Sequence, residues 1–303
     1  MRNRFLWLFT SVAYCGLLLP VMPAPADSAV RVVDDAGALV ELDAPARRIV
    51  SLAPNLTELL FAAGAGEVVV GVSEFSDYPA AAADIRRVGG GAGLDIEAII
   101  ALQPDLVVAW QSGNPPGQLE RLQDLGMPLF LSEPRQLLDV AGTLVRLGRL
   151  AGTESVAQAA ARAFAVRYRE LQQRYAGRPD VEVFYQVWRQ PLMTVNGDHL
   201  ISDVISLCGG RNVFSDLRGL APQIDIEAVL AADPEVIIAG TGGTSETAEL
   251  QDWMRWPMLA AVAQNHIYGV QRELLVRHGP RILDGAAQVC GILEKVRNEK
   301  PKN

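Results

Sequence analysis

One fifteen-residue phrase occurs twice in this 303-residue chain, 130 positions apart. Residues 95–109 read DIEAIIALQPDLVVA and residues 225–239 read DIEAVLAADPEVIIA, with seven identical positions. Each copy has apolar residues at helical spacing, then a proline that cannot continue the helix, then a β-branched apolar run. An internal repeat of this kind predicts that one helix–turn–strand unit is built twice.

The repeated strand also predicts the kind of sheet. Residues 106–110 and 236–239 are apolar on both faces, as in a central strand of a parallel sheet that helices cover on each side. Each copy therefore belongs to a Rossmann-like α/β lobe. With 303 residues the chain is long enough for two such lobes.

A long helical pattern separates the two copies. Between Thr153 and Ala176, apolar residues recur every three or four positions, at Val156, Ala160, Phe164, Tyr168, Leu171 and Tyr175. A helix of this length is about 36 Å long, and Thr153 is its expected N-cap. We interpret it as a rigid bridging helix, residues 153–177, between an N-terminal α/β lobe at 27–152 and a C-terminal α/β lobe at 178–303.

The first 26 residues have the pattern of an export signal. Arg2 and Arg4 precede an uncharged, largely apolar run at 5–22, and Ala24-Pro25-Ala26 is a small-x-small cleavage pattern. An uncleaved membrane anchor is the alternative, which the three prolines at 20, 23 and 25 disfavour. The sequence predicts an exported protein that begins near residue 27.

Net charge and cysteine content further limit the kinds of partner and covalent link that the protein can have. Removing the signal leaves 25 basic and 35 acidic residues, a net charge of −10, which argues against nucleic acid as a partner. It also leaves Cys208 and Cys290 as an even pair in an oxidising compartment, so a disulfide is expected. Closing a loop of about 80 residues contributes roughly 4 kcal/mol in the chain-entropy model.

No catalytic or metal-binding constellation is found. Neither a P-loop nor a G-x-S-x-G elbow occurs, and His199, His266 and His278 fall in no metal-ligand spacing. We expect these histidines on loops or at the surface, and we expect no catalytic residues, resident metal or cofactor. An exported α/β enzyme or a structural envelope protein remains the alternative of a different class.

Four aromatic residues lie near the predicted carboxyl ends of strands: Phe75, Tyr78, Trp110 and Trp188. Ligands of α/β sheets bind beyond those ends, and two lobes form a cleft there. Any single aromatic residue is more often part of a core. Four at similar positions favour a ligand-binding cleft for at least some of them.

The repeat also places one carboxylate in each lobe. Asp95 and Asp225 stand at helix N-caps, so Glu97 and Glu227 lie in the first turns of matching helices. Complementing the helix dipole is one explanation. The other is that two matched surface carboxylates contact a partner that is itself twofold.

The chain resembles a family of exported carriers. The phrases RRIVSLAPNLTELLFAAGAGEVVVGVSEFSDYP, LDIEAIIALQPDLVVAW and LCGGRNVF, with the second repeat copy, resemble the periplasmic substrate-binding proteins of ABC importers for vitamin B12, siderophores and haem. The similarity covers nearly all of residues 30–298 and is greatest to the vitamin B12-binding branch. It implies a class III periplasmic binding protein, whose two lobes and one bridging helix hold a ligand with little hinge closure.

The resemblance also implies site residues. Glu97 and Glu227 match carboxylates that dock on a twofold inner-membrane ABC permease, and Cys208 and Cys290 match a disulfide. The implied cleft residues are Pro54, Asn55, Phe75, Tyr78, Gly91, Trp110, Trp188, Glu273 and Arg277. Gly91 and the region of Ala221 lack tryptophans that the vitamin B12-binding branch carries, so stacking on a corrin ring is reduced there. The implied protein is a periplasmic monomer that carries a cobalamin-like corrinoid, with an iron siderophore or haem as the alternative ligand.

Overall fold

The computed structural model describes residues 29–91, 93–242 and 250–299. The predicted signal at 1–26 lies outside these residues. Within the described ranges, no helix is both long and apolar enough to cross a membrane.

The N-terminal lobe contains a four-stranded parallel sheet in the order β4-β3-β7-β8. A β1–β2 hairpin and a short β5–β6 hairpin flank it. The strands are β1 Val30–Val33, β2 Leu39–Leu42, β3 Ile49–Ser51, β4 Val69–Val72, β5 Gly89–Gly90, β6 Gly93–Leu94, β7 Leu106–Trp110 and β8 Leu129–Ser132. The helices are α1 Pro54–Ala62, α2 Ile96–Ala101, α3 Pro116–Asp124 and α4 Leu137–Ala151.

The C-terminal lobe repeats this sheet in the order β10-β9-β11-β12, again all parallel. Taken in chain order, both sheets therefore have the strand order 2-1-3-4. The strands are β9 Val181–Gln186, β10 Gly210–Asn212, β11 Val236–Thr241 and β12 Ile267–Gln271. The helices are α6 Leu200–Leu207, α7 Ile226–Ala232, α8 Ala260–Ala263, α9 Arg272–Val276 and α10 Ile282–Glu299.

The two copies of the repeat occupy equivalent places in the two sheets, as α2–β7 and α7–β11. Asp95 and Asp225 are side-chain N-caps, accepting from the backbone N–H of Ala98 at 2.9 Å and of Ala228 at 2.8 Å. Both copies of the repeat also have an acidic residue just before the strand, Asp105 and Glu235, and its carboxylate bonds the backbone at the start of the neighbouring strand. Asp105 accepts from the Arg48 N–H near β3, and Glu235 accepts from the Glu182 N–H in β9. The repeat thus encodes both a helix cap and the attachment of one strand to the next.

The bridging helix α5 runs from Glu154 to Tyr175 and packs mainly against α4. It also contacts α1 in the first lobe and α6 and α10 in the second. Thr153 occupies the N-cap position, but the predicted side-chain cap is absent. Its hydroxyl instead donates to the Ala63 carbonyl at 2.7 Å, which ties the start of α5 to the end of α1.

One connected core passes through both lobes. It joins β3 and β7 of the first sheet, α4 and α5, and β9 and β11 of the second sheet through buried aliphatic and aromatic side chains such as Ile49, Leu144, Phe164 and Tyr185. A covalent link lies beside this core, because Cys208 and Cys290 form the predicted disulfide between the end of α6 and α10. The lobes are therefore packed against each other and do not hang from a flexible linker.

Candidate functional site

The carboxyl ends of the two parallel sheets supply the residues of the interlobe cleft. In each sheet the strand order reverses between the first and third strands, which is the usual place for a ligand. In the first lobe this point lies between β3, followed by α1, and β7, which ends at Trp110. In the second lobe it lies between β9 and β11, which ends at Thr241.

Pro54 and Asn55 follow β3 directly. A proline after a β-branched run can end a strand, but here Pro54 and Asn55 form the first turn of α1. Proline fits there because it lacks the N–H that the first turn leaves unbonded. Asn55 is buried, and its amide nitrogen has no hydrogen-bond partner among the described residues.

The loop after β4 carries Phe75 and Tyr78 into the cleft. Phe75 is 76% exposed and has a φ of 61°, an unusual conformation for a bulky residue. Its carbonyl accepts a hydrogen bond from Arg277 of the other lobe at 3.1 Å. Such strained, exposed aromatic residues are typical of ligand-contacting loops.

Glu58 and Asp77 of the first lobe bind Arg277 and Arg281 of the second lobe, and we call these four residues the lobe-bridging cluster. Arg277 donates from Nη1 to Glu58 at 3.1 Å and to Asp77 at 2.7 Å. Arg281 donates to both carboxylate oxygens of Glu58, at 2.8 and 2.5 Å. Its guanidinium also lies 4.0 Å from the centre of the Tyr78 ring. Two cations and two carboxylates leave the cluster with no net charge.

The arginines and carboxylates of the lobe-bridging cluster compensate one another's charges. The Glu58 side chain is 2% exposed, so its charge is compensated by the arginines and not by water. The hydrogen bond from Arg277 holds the pKa of the Asp77 carboxyl below its usual range, although partial burial acts in the opposite direction. The arginine that the resemblance assigned to ligand contact thus also joins the lobes.

Two recesses extend across the interface. The polar recess, of about 530 Å³, is lined from the first lobe by Asp77 and Tyr78 and from the second by Thr241, Gly242, Glu273 and Arg277. The apolar recess, of about 290 Å³, is lined by Trp110 and Ser112 of the first lobe and by second-lobe residues that include Val187, His199, Ala221, Val276 and His278. Both volumes fall near the range of small-molecule sites.

Of the nine predicted cleft residues, Tyr78, Glu273 and Arg277 line the polar recess and Trp110 lines the apolar one, whereas the other five line neither. Trp188 is not among the lining residues of either one; its indole donates to the Gln190 carbonyl and Arg272 lies over its ring. Gly91 is exposed at the rim, where a Cβ would stand 3.8 Å from the Gly113 carbonyl oxygen. The role of these residues as ligand contacts remains a prediction.

Several cleft residues were missed by sequence reasoning, namely Glu58, Asp77, Arg281, His199 and His278. His199, His266 and His278 all lie on connecting segments, as expected, although His266 and His278 are each only 2% exposed. Burial lowers the pKa of His199 to about 4, with the charge of Arg135 acting in the same direction. The ion pairs between the lobes have no local sequence signal, because the sequence shows only which residues are charged and not which of them are close in space.

Glu97 and Glu227 lie in the first turns of α2 and α7, as predicted, and both are exposed. Neither carboxylate forms an ion pair with another described residue. Over the same described ranges, no group of three or more histidine, cysteine or acidic residues is placed to hold a metal ion.

Comparison with known proteins agrees with this architecture. A family model described as periplasmic binding protein matches residues 49–274. The chain belongs to the periplasmic binding protein family. A vitamin B12-binding protein of Vibrio parahaemolyticus is 37% identical over 257 residues, which cover 84% of this chain and 92% of the relative. One from Yersinia pestis is 36% identical and covers 90% of this chain and 94% of its own length.

A solved structure of this family supports the same fold. The crystal structure of the periplasmic vitamin B12-binding protein BtuF of Vibrio cholerae matches with a TM-score of 0.79 at 38% identity, covering 84% of this chain and 99% of that one. The class III architecture that the resemblance implied is therefore confirmed. Members of this family and the matched relatives are named as binding proteins, which agrees with the failure to find catalytic motifs.

Proposed function

We propose that this protein is an exported carrier that binds cobalamin or a related corrinoid between its lobes and delivers it to an ABC permease of the inner membrane. The observation that carries the proposal is the pair of recesses between the opposed carboxyl ends of two matching sheets, in a chain whose relatives are named for vitamin B12 binding. Export through a cleaved signal at 1–26 and residence in the periplasm are parts of the proposal.

The charge of the cleft supports a corrinoid over its alternatives. Haem carries two carboxylates, and many siderophores are anionic, so a carrier for either gains from uncompensated cations. Here Arg277 and Arg281 are already bonded to Glu58 and Asp77, and Glu273 adds a carboxylate to the polar recess. The rim of a corrin ring carries uncharged amides, which suit a polar recess whose arginines are already compensated, beside an apolar recess.

Delivery requires no reaction on the ligand. The two exposed carboxylates Glu97 and Glu227 stand at equivalent places on the two lobes and fit matching basic groups on a twofold permease. Exposed ion pairs contribute little, about 0–1 kcal/mol each, so they determine orientation and association rate more than affinity. A single carrier then contacts both halves of the permease with its cleft over the axis between them.

Isothermal titration of the mature protein, residues 27–303, tests the ligand. We expect one-to-one binding of cyanocobalamin with a dissociation constant in the nanomolar range. Ferric siderophores and haemin, titrated under the same conditions, should bind far more weakly. Absence of cobalamin binding together with tight binding of an iron chelate would retain the carrier function and overturn the ligand.

A further inference from the structure

His278 lies in the apolar recess in a chemically unusual state. It stands in the turn between α9 and α10, directly after Arg277 of the lobe-bridging cluster. Its ring is packed edge-on against two others, Trp110 of the first lobe at 5.5 Å and His199 at 5.0 Å between centroids. The three rings form a column that crosses from one lobe to the other.

Both ring nitrogens of His278 are buried without a hydrogen-bond partner, and the residue is only 2% exposed. A neutral imidazole has one donor and one acceptor, and burying each of them unbonded is unfavourable. A leucine would fill the same space without this penalty. Packing alone therefore does not explain a histidine at this position.

His266 provides the internal comparison. It is equally buried, yet its Nδ1 lies 3.2 Å from the Glu235 carbonyl oxygen and its Nε2 lies 3.0 Å from the Glu299 carboxylate. That histidine has a complete set of partners within the fold. His278 differs because the group that would complete its bonding is not supplied by the described part of the chain.

We propose that His278 is a specificity-determining ligand contact, one of whose ring nitrogens hydrogen-bonds an uncharged carboxamide of the corrinoid after the indole of Trp110 moves aside. This inference rests on the proposed function and identifies which chemical group of the ligand the apolar recess recognises. A primary carboxamide offers one acceptor and two N–H donors, so it can pair with either the donor or the acceptor nitrogen of a neutral imidazole, whichever faces the ligand.

The surroundings of His278 favour an uncharged group. The recess is lined mainly by apolar side chains such as Val187, Ala221 and Val276, so a carboxylate or an ammonium group would lose its hydration there. His199 supplies no charge, because burial keeps it neutral near pH 7 and its Nδ1 accepts from the Ile201 N–H at 3.1 Å. Its remaining proton is therefore on Nε2.

Trp110 is placed to act as the removable cover. It is the last residue of β7 and only partly buried, and its indole Nε1 lies 3.4 Å from Glu133, a long hydrogen bond. The ring packs directly on Gly113, where a Cβ would stand 2.1 Å from the indole, so only glycine fits beside it. The indole also packs against the core that passes through both lobes, so a ligand that displaces it requires the neighbouring side chains to repack.

Two variants separate ligand contact from a structural role. We expect His278→Leu to resist urea at least as well as the wild type, because unbonded polar groups are removed, but to bind cyanocobalamin at least tenfold more weakly. His278→Gln, which keeps a donor and an acceptor, should recover part of the affinity. The matched control His266→Leu should lose stability and keep wild-type affinity in the same titrations.

The ligand can be varied as well as the protein. Cobalamins in which one rim amide is hydrolysed to a carboxylate serve as the altered ligand in a double-mutant cycle, in which His278→Leu is the altered protein. We expect one of these monocarboxylates to bind the wild type at least tenfold more weakly than cyanocobalamin and to bind His278→Leu with no further loss. That coupling identifies the amide that His278 contacts.

The outcomes are distinguishable. Unchanged cyanocobalamin affinity in His278→Leu overturns the inference and leaves the proposed function intact, whereas no binding by the wild type overturns the proposed function itself. Loss of both stability and affinity in His278→Leu would assign the residue a structural role and overturn the inference. A shift of the visible absorption bands of aquocobalamin on binding the wild type, absent in His278→Leu, would indicate cobalt ligation and overturn the carboxamide assignment.

Discussion

Arg281 donates two hydrogen bonds to Glu58 across the lobe interface, from Nε to Oε2 at 2.8 Å and from Nη2 to Oε1 at 2.5 Å. The two residues are 223 positions apart in the chain. Because Glu58 also accepts from Arg277, one buried carboxylate binds two arginines of the other lobe. This one acidic side chain therefore supplies two of the ion pairs between the lobes at the cleft, beside the pair of Asp77 with Arg277.

Glu58→Ala is expected to destabilise the protein by about 3–5 kcal/mol, because removing one partner of a buried ion pair leaves the other charges uncompensated. Urea unfolding followed by circular dichroism measures the change. The matched control is Glu41→Ala, which breaks the exposed pair with Arg31 and should cost less than about 1 kcal/mol. Equal effects of the two substitutions would contradict the role assigned to the cluster.

Phe75 permits a test in which stability and binding change in opposite directions. Its positive φ is tolerated better by glycine, so Phe75→Gly should raise the free energy of unfolding by about 1 kcal/mol, part of the relieved strain being offset by a more flexible unfolded chain. The same change removes an exposed ring from the cleft and should weaken cyanocobalamin binding. Phe75→Ala removes the ring and keeps the strain, so only its affinity should fall.

Stability should decrease as the solution becomes acidic, in part because of His199. Its pKa is about 4 in the folded protein against 6.5 when unfolded, so between these values the unfolded chain binds the extra proton. The free energy of unfolding therefore falls as the pH drops from 6.5 to 4, by up to about 3 kcal/mol from this group. His199→Asn keeps an acceptor for the Ile201 N–H, and its urea midpoints between pH 7.5 and 4.5 should show a smaller slope. His278 shifts in the same direction and leaves part of the slope in place.

Docking and ligand binding should be separable. Glu97→Ala combined with Glu227→Ala is expected to abolish cobalamin uptake into cells that depend on this carrier, with calorimetric affinity for cyanocobalamin unchanged. Glu170→Ala, an exposed glutamate on α5, is the control and should transport normally. Wild-type uptake by the double variant would rule out the two carboxylates as docking contacts.

Reduction of the disulfide should weaken the C-terminal lobe. The bond spans a sequence separation of 82 residues, and its loss is expected to lower the free energy of unfolding by about 4 kcal/mol. Urea unfolding with and without a reducing agent measures this directly, and Cys208→Ser with Cys290→Ser should be insensitive to the reducing agent.

Much of the fold could be predicted because its determinants are local. The repeated phrase contains its own helix cap, helix stop and strand, so α2–β7 and α7–β11 appear close to their predicted bounds. Pro54 shows the limit of such reasoning: the same residue can end a strand or begin a helix, and only the packing of α1 against the sheet selects the second. The disulfide followed from counting, since two cysteines outside the predicted signal allow one pairing.

The chemistry of the cleft was less accessible from the sequence. Glu58 contacts Arg277 and Arg281 because the two lobes pack together. The sequence around each of these residues gives no signal of that contact. His278 matches no metal-ligand spacing in the sequence, and only the structure shows that its ring is buried without a hydrogen-bond partner among the described residues. Local signals identify elements, whereas contacts between distant elements determine the site.

The single core that passes through both lobes has a mechanical consequence for cargo release. Swinging the lobes apart would break the lobe-bridging cluster and open the core that both lobes share, so the free carrier has no low-energy open form from which its ligand escapes. Release then needs work done on the carrier from outside. If docking supplies that work, the nucleotide cycle of the transporter determines when the ligand is released. The carrier itself then behaves as a rigid container.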